Sequence, residues 1–260
     1  MPAAACASAA SGRWTRSATG APWPTPGDSR SGSASSSGAT PAHAEPRDPM
    51  KTVRWYFDFI SPYAYLQSAV LERVAAHARI EPVPILFAGL LQHHAHKGPA
   101  EIAPKKVHTF RQVVWLAREH GIPLALPAAH PFNPLPLLRL SIALGNTPEV
   151  VQALFRHVWV DGHLPTDAAP WAALCARLGV DDPAAALARP EVKDTLRRNT
   201  EAAIEAGLFG VPTLAVDDQH FWGFDMTDAA IACLRGDPIF ASPLMARAAT
   251  LPDGVQRVPR

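Results

Sequence analysis

The chain has 260 residues, 48% of them hydrophobic, which suits a globular protein with a sizeable core and excludes a chain disordered throughout. Its 24 basic and 23 acidic side chains leave a formal charge of +1, with no Lys/Arg block dense enough to track a phosphate backbone, so nucleic acid is not an expected partner. No segment approaches the roughly 18 consecutive apolar residues of a membrane span, and Cys6, Cys175 and Cys233 are too far apart for a CxxC redox pair, a metal knuckle or a secreted disulfide framework.

Residues 1–49 are built from Ala, Ser, Gly, Pro and Thr without apolar periodicity, and such a segment cannot bury enough surface to offset its ordering entropy. It reads as a disordered extension, or as the product of a start placed upstream of Met50, and is expected to be dispensable. Arg13, Arg16 and Arg30 in an acid-poor stretch offer an organelle transit peptide as the alternative. Val53 to Phe59, rich in β-branched and aromatic residues, predicts a buried strand, and Ser61-Pro62 opens a helical run through Leu66, Val70, Leu71 and Val74. Val83 to Phe87 predicts a second strand, with Pro82 and Pro84 marking it as an edge. From Leu90 to about Ala206 the signals are helical, over Thr109–His120, Pro134–Leu144, Pro148–Val160, Thr166–Leu178 and Pro190–Ala206. Pro212–Val216 and Gln219–Trp222 predict a hairpin turning at Asp217-Asp218, and Asp225–Leu234 a last helix. Strand, helix, strand, a long helical stretch, then two strands and a helix is the order of an α+β thioredoxin-type fold interrupted by an all-helical insertion. Residues 50–88 and 200–260 would form the thioredoxin-like domain and 89–199 the insertion.

Ser61 stands where a helix N-cap belongs and Pro62 in the first turn, so a structural cap explains both. A helix N-terminus also favours an anion such as a thiolate, to which Ser61 could donate a hydrogen bond. In Gly207-Leu208-Phe209-Gly210-Val211-Pro212-Thr213, a proline at a strand start is structurally ordinary. With a cis Val211-Pro212 bond, however, the Val211 backbone would face Ser61 and could pair with an extended peptide as an added strand. Asp225 could cap the last helix or bind an ammonium group beside its end. His93, His94 and His96 lack an accompanying acid or cysteine and read as a solvent-facing polar patch, so no metal site is expected. Trp115, Trp159 and Trp171 fall in apolar helical stretches and are expected in the core.

Five segments occur in a fixed order: Phe57-Asp58-Phe59-Ile60-Ser61-Pro62-Tyr63-Ala64-Tyr65-Leu66, Ala103-Pro104-Lys105-Lys106, His130-Pro131-Phe132-Asn133-Pro134-Leu135, Phe209-Gly210-Val211-Pro212-Thr213 and Phe221-Trp222-Gly223-Phe224-Asp225. Together they resemble the 2-hydroxychromene-2-carboxylate isomerase family, relatives of kappa-class glutathione transferases and of periplasmic disulfide oxidoreductases. The resemblance covers nearly all of Met50 to Pro243. It implies a glutathione site with Ser61 on the thiol, Val211 and Pro212 on the cysteinyl backbone, Asp225 on the γ-glutamyl end, and Lys105 or Lys106 on a carboxylate. Tyr63, Asn133 and Trp222 are the implied substrate contacts, Asn133 being open equally to a loop-capping role. Kappa-type members place an asparagine ahead of the lysine where this chain has His96-Lys97-Gly98.

The implied reaction interconverts 2-hydroxychromene-2-carboxylate and trans-o-hydroxybenzylidenepyruvate, a step of naphthalene breakdown. Thiolate addition turns a conjugated double bond into a single bond, rotation follows, and elimination returns the thiolate. A glutathione transferase using the same site and a non-catalytic thiol- or peptide-binding module are the alternatives. A dithiol oxidoreductase is disfavoured, because positions 61 and 64 carry no sulfur. The expected protein is a cytoplasmic homodimer acting on a small aromatic acid, with no membrane partner.

Overall fold

A computed structural model describes residues 50–255, so the expectations for residues 1–49 lie outside the described residues. The central strand β1 (Thr52–Phe57) buries Val53, Trp55, Tyr56 and Phe57. It pairs in parallel with β2 (Arg79–Pro84) and antiparallel with β3 (Thr213–Val216), which pairs antiparallel with β4 (Gln219–Trp222), giving the order β2-β1-β3-β4. The β3–β4 hairpin turns at Asp217-Asp218 as expected, with Asp217 at φ 53°.

β2 lies several residues ahead of the expected Val83–Phe87. Its parallel register with β1 sets Pro82 opposite Trp55 and Pro84 opposite Phe57, and an edge strand tolerates prolines because one of its sides needs no donors. Ile85 still donates to the Phe57 carbonyl at 2.9 Å, and the chain turns at once into α3 (Phe87–His93), a helix the sequence pattern did not announce.

The β1–β2 crossover is α1 (Pro62–Ser68) followed by α2 (Leu71–Ala75), so the single expected helix is broken at Ala69-Val70. Between β2 and β3 come α3, α4 (Ala103–Glu119), α5 (Leu135–Ala143), α6 (Pro148–Trp159), α7 (Ala168–Arg177), α8 (Pro183–Ala188) and α9 (Pro190–Glu205). Pro62, Pro148 and Pro190 each open a helix, and the side chains of Ser61 and Thr147 accept from first-turn N–H groups, which is why these starts were readable; α8, opened by Pro183 and capped by Asp182, was not expected from the sequence. α4 begins ahead of the expected Thr109 because Pro104 sits in its first turn. The expected last helix is a 3-10 turn, Phe224–Met226, leading into α10 (Thr227–Leu234), and α11 (Pro243–Ala249) follows it.

Sheet and insertion share one core. Trp55 stacks on Phe57 at 4.3 Å, Phe57 meets Phe59 edge-on at 5.3 Å, and Phe59 meets Phe155 of α6 at 4.6 Å. Trp159 is fully buried and Trp171 packs at the core's margin. Trp115 does not: it is 54% exposed, on the outer face of α4, with the Arg118 guanidinium 4.2 Å above its ring.

Candidate functional site

The site gathers at the C-terminal end of β1, the start of α1 and the loop before β3. β1 ends at Phe57, and a turn carries the chain into Ser61, which is buried and has extended backbone geometry. Its hydroxyl oxygen accepts from the Ala64 N–H at 3.2 Å and donates to the Val211 carbonyl at 3.3 Å, 150 residues away. The Val211-Pro212 peptide is cis, as the sequence reading expected. Both the capping role and the approach to Val211 are thus present in one side chain.

The expected helix-end anion site is weaker than the sequence suggested. α1 has seven residues, Pro62 lacks an N–H, Ala64 is capped by Ser61 Oγ, and the Tyr65 N–H goes to the Ser61 carbonyl. Of the first-turn N–H groups, that of Tyr63 has no partner among the described residues.

Gln67 ties the Asp225 turn to α1. Fully buried, it accepts from the Trp55 indole at 2.8 Å and donates to the Gly223 carbonyl at 3.1 Å and the Thr227 hydroxyl at 3.0 Å. Gly223 has φ 101°, and a Cβ there would run into the Asp225 carboxylate, which folds back over it. Asp225 does not cap α10; it lies in the 3-10 turn, exposed, without an ion-pair partner among the described residues. Tyr63, half-buried beside it, donates to Gln112 Oε1 at 2.8 Å, and burial raises its phenol above the usual range, with the Asp225 charge adding to the rise.

The two lysines separate. Lys105 is exposed, whereas Lys106 is partly buried and donates through Nζ to the His130 carbonyl. Asn133 is exposed and its side-chain oxygen accepts from the Leu135 N–H at 3.0 Å, the loop-capping alternative. Trp222 is half exposed and lies across Gly210, where any Cβ would collide with its indole, and it meets the exposed Phe209 ring at 5.0 Å. This aromatic pair flanks Val211.

Of the histidine triplet, His93 and His96 face solvent, while His94 sits within hydrogen-bonding distance of the Leu208 carbonyl, 2.9 Å. A groove of about 720 Å³ beside β2, lined by Leu71, Ile80, Pro82 and Val151, holds none of these residues.

Residues 52–231 match the DSBA-like thioredoxin domain family. The chain belongs to this family. Within it, the chain is 28% identical over 185 residues to a 2-hydroxychromene-2-carboxylate isomerase from Sphingobium xenophagum, covering 68% of this chain and 95% of that one. It is 28% identical over 186 residues to glutathione S-transferase kappa 2 of Caenorhabditis elegans, covering 65% and 83%. A solved structure of 2-hydroxychromene-2-carboxylate isomerase superposes with a TM-score of 0.62 at 25% identity, covering 78% of this chain and 100% of that one. This DSBA-like chain therefore keeps the thioredoxin-type fold while lacking sulfur at positions 61 and 64.

Three polar side chains of the site escaped the sequence reading as site residues: Gln67, Asp58 and His130. Gln67 sits in a run of buried positions where a polar residue is itself a signal of a buried network. Asp58 is fully buried, and burial pushes its carboxyl up to about 7, against the hydrogen bonds that it accepts from backbone N–H groups. His130 is packed among Phe110, Phe132 and Trp159, at 5.1, 5.9 and 6.0 Å between ring centres.

Proposed function

We propose that the protein is a glutathione-dependent isomerase that interconverts 2-hydroxychromene-2-carboxylate and trans-o-hydroxybenzylidenepyruvate. The observation that carries this reading is the 3.3 Å bond from the Ser61 hydroxyl to the Val211 carbonyl. It sets a proton donor against the backbone edge that an added peptide strand would use. The residues fit glutathione: the Val211 N–H has no partner among the described residues, its carbonyl is held only by a long hydroxyl bond, and Asp225 is an exposed, unpaired carboxylate on the same side as Tyr63. Relatives named as kappa glutathione transferases support the same cofactor.

When bound, glutathione supplies a thiolate that adds to the conjugated carbon and leaves again, permitting rotation about the former double bond. The chain's residues do the rest. Val211 would hold the peptide backbone, leaving the Ser61 hydroxyl free to donate to sulfur, a charged acceptor and a better one than a carbonyl. Asp225 would hold the α-ammonium end. Lys106, now on a backbone carbonyl, takes a carboxylate as the stronger partner, while Phe209, Trp222 and Tyr63 wall the ring. The reading places the protein in a reducing compartment, the cytoplasm, as a homodimer acting in aromatic-compound breakdown. No helix among the described residues is long and apolar enough to cross a membrane.

The test is conversion of 2-hydroxychromene-2-carboxylate by purified protein with and without glutathione, with total thiol measured alongside. Turnover that requires glutathione and leaves total thiol constant is expected. Thiol loss matching turnover would make the protein a transferase, and no conversion despite glutathione binding would make it a binding module.

A further inference from the structure

Ser61 is reached through two peptide groups, and the structure holds each of them at both ends. In the Phe59–Ile60 peptide, the carbonyl accepts from the Trp159 indole at 2.9 Å and the N–H donates to Asp58 Oδ1 at 3.1 Å. In the Ile60–Ser61 peptide, the carbonyl faces His130 Nε2 at 2.8 Å and the N–H donates to the Asp58 carbonyl at 3.1 Å. A carbonyl only accepts, so His130 Nε2 carries the proton and Nδ1 is left as a bare acceptor. That Nδ1 is buried without a partner among the described residues. An orphaned buried nitrogen is unfavourable, and the ring that bears it stays in place on the strength of its other nitrogen and its aromatic neighbours. Asp58 also reaches outward: its Oδ2 accepts from Phe87 N–H at 2.9 Å, fastening the start of α3 to the same turn.

We infer that Asp58 and His130 are positioning residues which, with Trp159, lock the two peptide planes before Ser61 and so aim its hydroxyl at the Val211 carbonyl. This deepens the isomerase reading and rests on it only for what Ser61 does once aimed. The donors of the helical segment, His130 in the loop after α4 and Trp159 at the end of α6, make the aim of a thioredoxin-side residue depend on the insertion. Burial lowers His130 below the ordinary imidazole range, the bond to Ile60 opposing this and the Lys106 charge reinforcing it, so the ring is a neutral single donor near neutral pH. Lys106, on the His130 carbonyl, is the charged group that faces it; Asp58 meets backbone N–H groups of Phe59, Ile60 and Phe87.

The experiment compares His130→Phe, which removes the donor, with His130→Gln, which keeps an N–H near the Nε2 position. Two quantities are read: amide hydrogen exchange at Ile60 and Ser61 in the unliganded protein, and the thiol pKa of bound glutathione by ultraviolet absorbance. His130→Phe is expected to speed exchange of these amides about tenfold relative to the amides of β1 and to raise the bound-thiol pKa, with His130→Gln restoring most of both. Wild-type values in His130→Phe, or equal changes in the two variants, would overturn the inference. Should His130→Phe fail to fold, Trp159→Phe removes the donor to the Phe59 carbonyl while keeping an aromatic ring in the core, and is read in the same way. If the wild type binds no glutathione, the functional reading fails, and the exchange arm still decides the positioning role.

Discussion

On the sheet side of the site, Gln67 engages three partners, Ser61 Oγ both accepts and donates, and Thr213 and Thr227 each donate to a backbone carbonyl. On the helical side, Lys106 ends on a carbonyl, His130 Nδ1 has no partner, and Val107, Val114 and Trp115 stand at the surface of α4. On the first side the polar side chains named are partnered within the protein, while the Val211 N–H has no partner among the described residues and Asp225 is exposed; the second side holds groups that a ligand would satisfy better than the protein does. Under the proposed function the contrast would amount to a division of labour, the thioredoxin half holding the glutathione backbone and the insertion selecting what reacts with it. The two halves meet at the turn before Ser61, and each of the following tests bears on how tightly they are joined.

The largest effect is expected at the joint. Trp159 is fully buried, stacks with Tyr65 and donates to the Phe59 carbonyl, so Trp159→Ala leaves a cavity and an unpaired acceptor. Destabilisation of about 3–5 kcal/mol is expected, read as a lower urea midpoint in a single transition. Two separate transitions in the variant would show that the halves do not share one core.

A pH dependence sharpens the sheet side. The folded Asp58 carboxyl is raised to about 7 from an ordinary 3.8, so the folded state binds its proton more tightly than the unfolded state. The stability this contributes is fully present below the unfolded value and is lost as pH rises through about 7. Asp58→Asn is neutral throughout, so the stability difference between wild type and variant should shrink in the wild type's disfavour from about pH 4 to pH 7, measured by denaturant titration. A difference independent of pH would show that Asp58 is not buried as its acid.

The smallest effect concerns the helical side. Lys106→Met should raise the KM for the aromatic acid about tenfold, the loss of one charge-assisted bond, while Lys105→Met, exposed on the same helix, should change it less than about twofold. Steady-state kinetics at constant glutathione checks both, and equal effects would return the carboxylate contact to either lysine.

What the sequence disclosed was local. A serine followed by proline at a helix start, a proline at the head of β3 and two aspartates between alternating strands each specify their own backbone, and each is found as expected. What it hid depends on partners far along the chain: His130 reaches Ile60 across 70 residues, Trp159 reaches Phe59 across 100, and Gln67 reaches Gly223 across 156. β2 shifted because strand position is set by register with β1 and not by where the β-branched residues are densest. Trp115 misled because an apolar helical stretch does not say which of its faces is covered, and α4 leaves this ring outside.

The measurement that bears most directly on the central claim is ultraviolet titration of glutathione thiolate bound to wild type and to Ser61→Ala. Loss of one hydrogen bond to a charged acceptor, worth about 1.5–3 kcal/mol, should raise the bound-thiol pKa by about one to two units. Affinity should change less, and activity should fall at neutral pH and recover in part where the thiol ionises unaided. An unchanged thiol pKa with activity abolished at every pH would contradict the role assigned to Ser61.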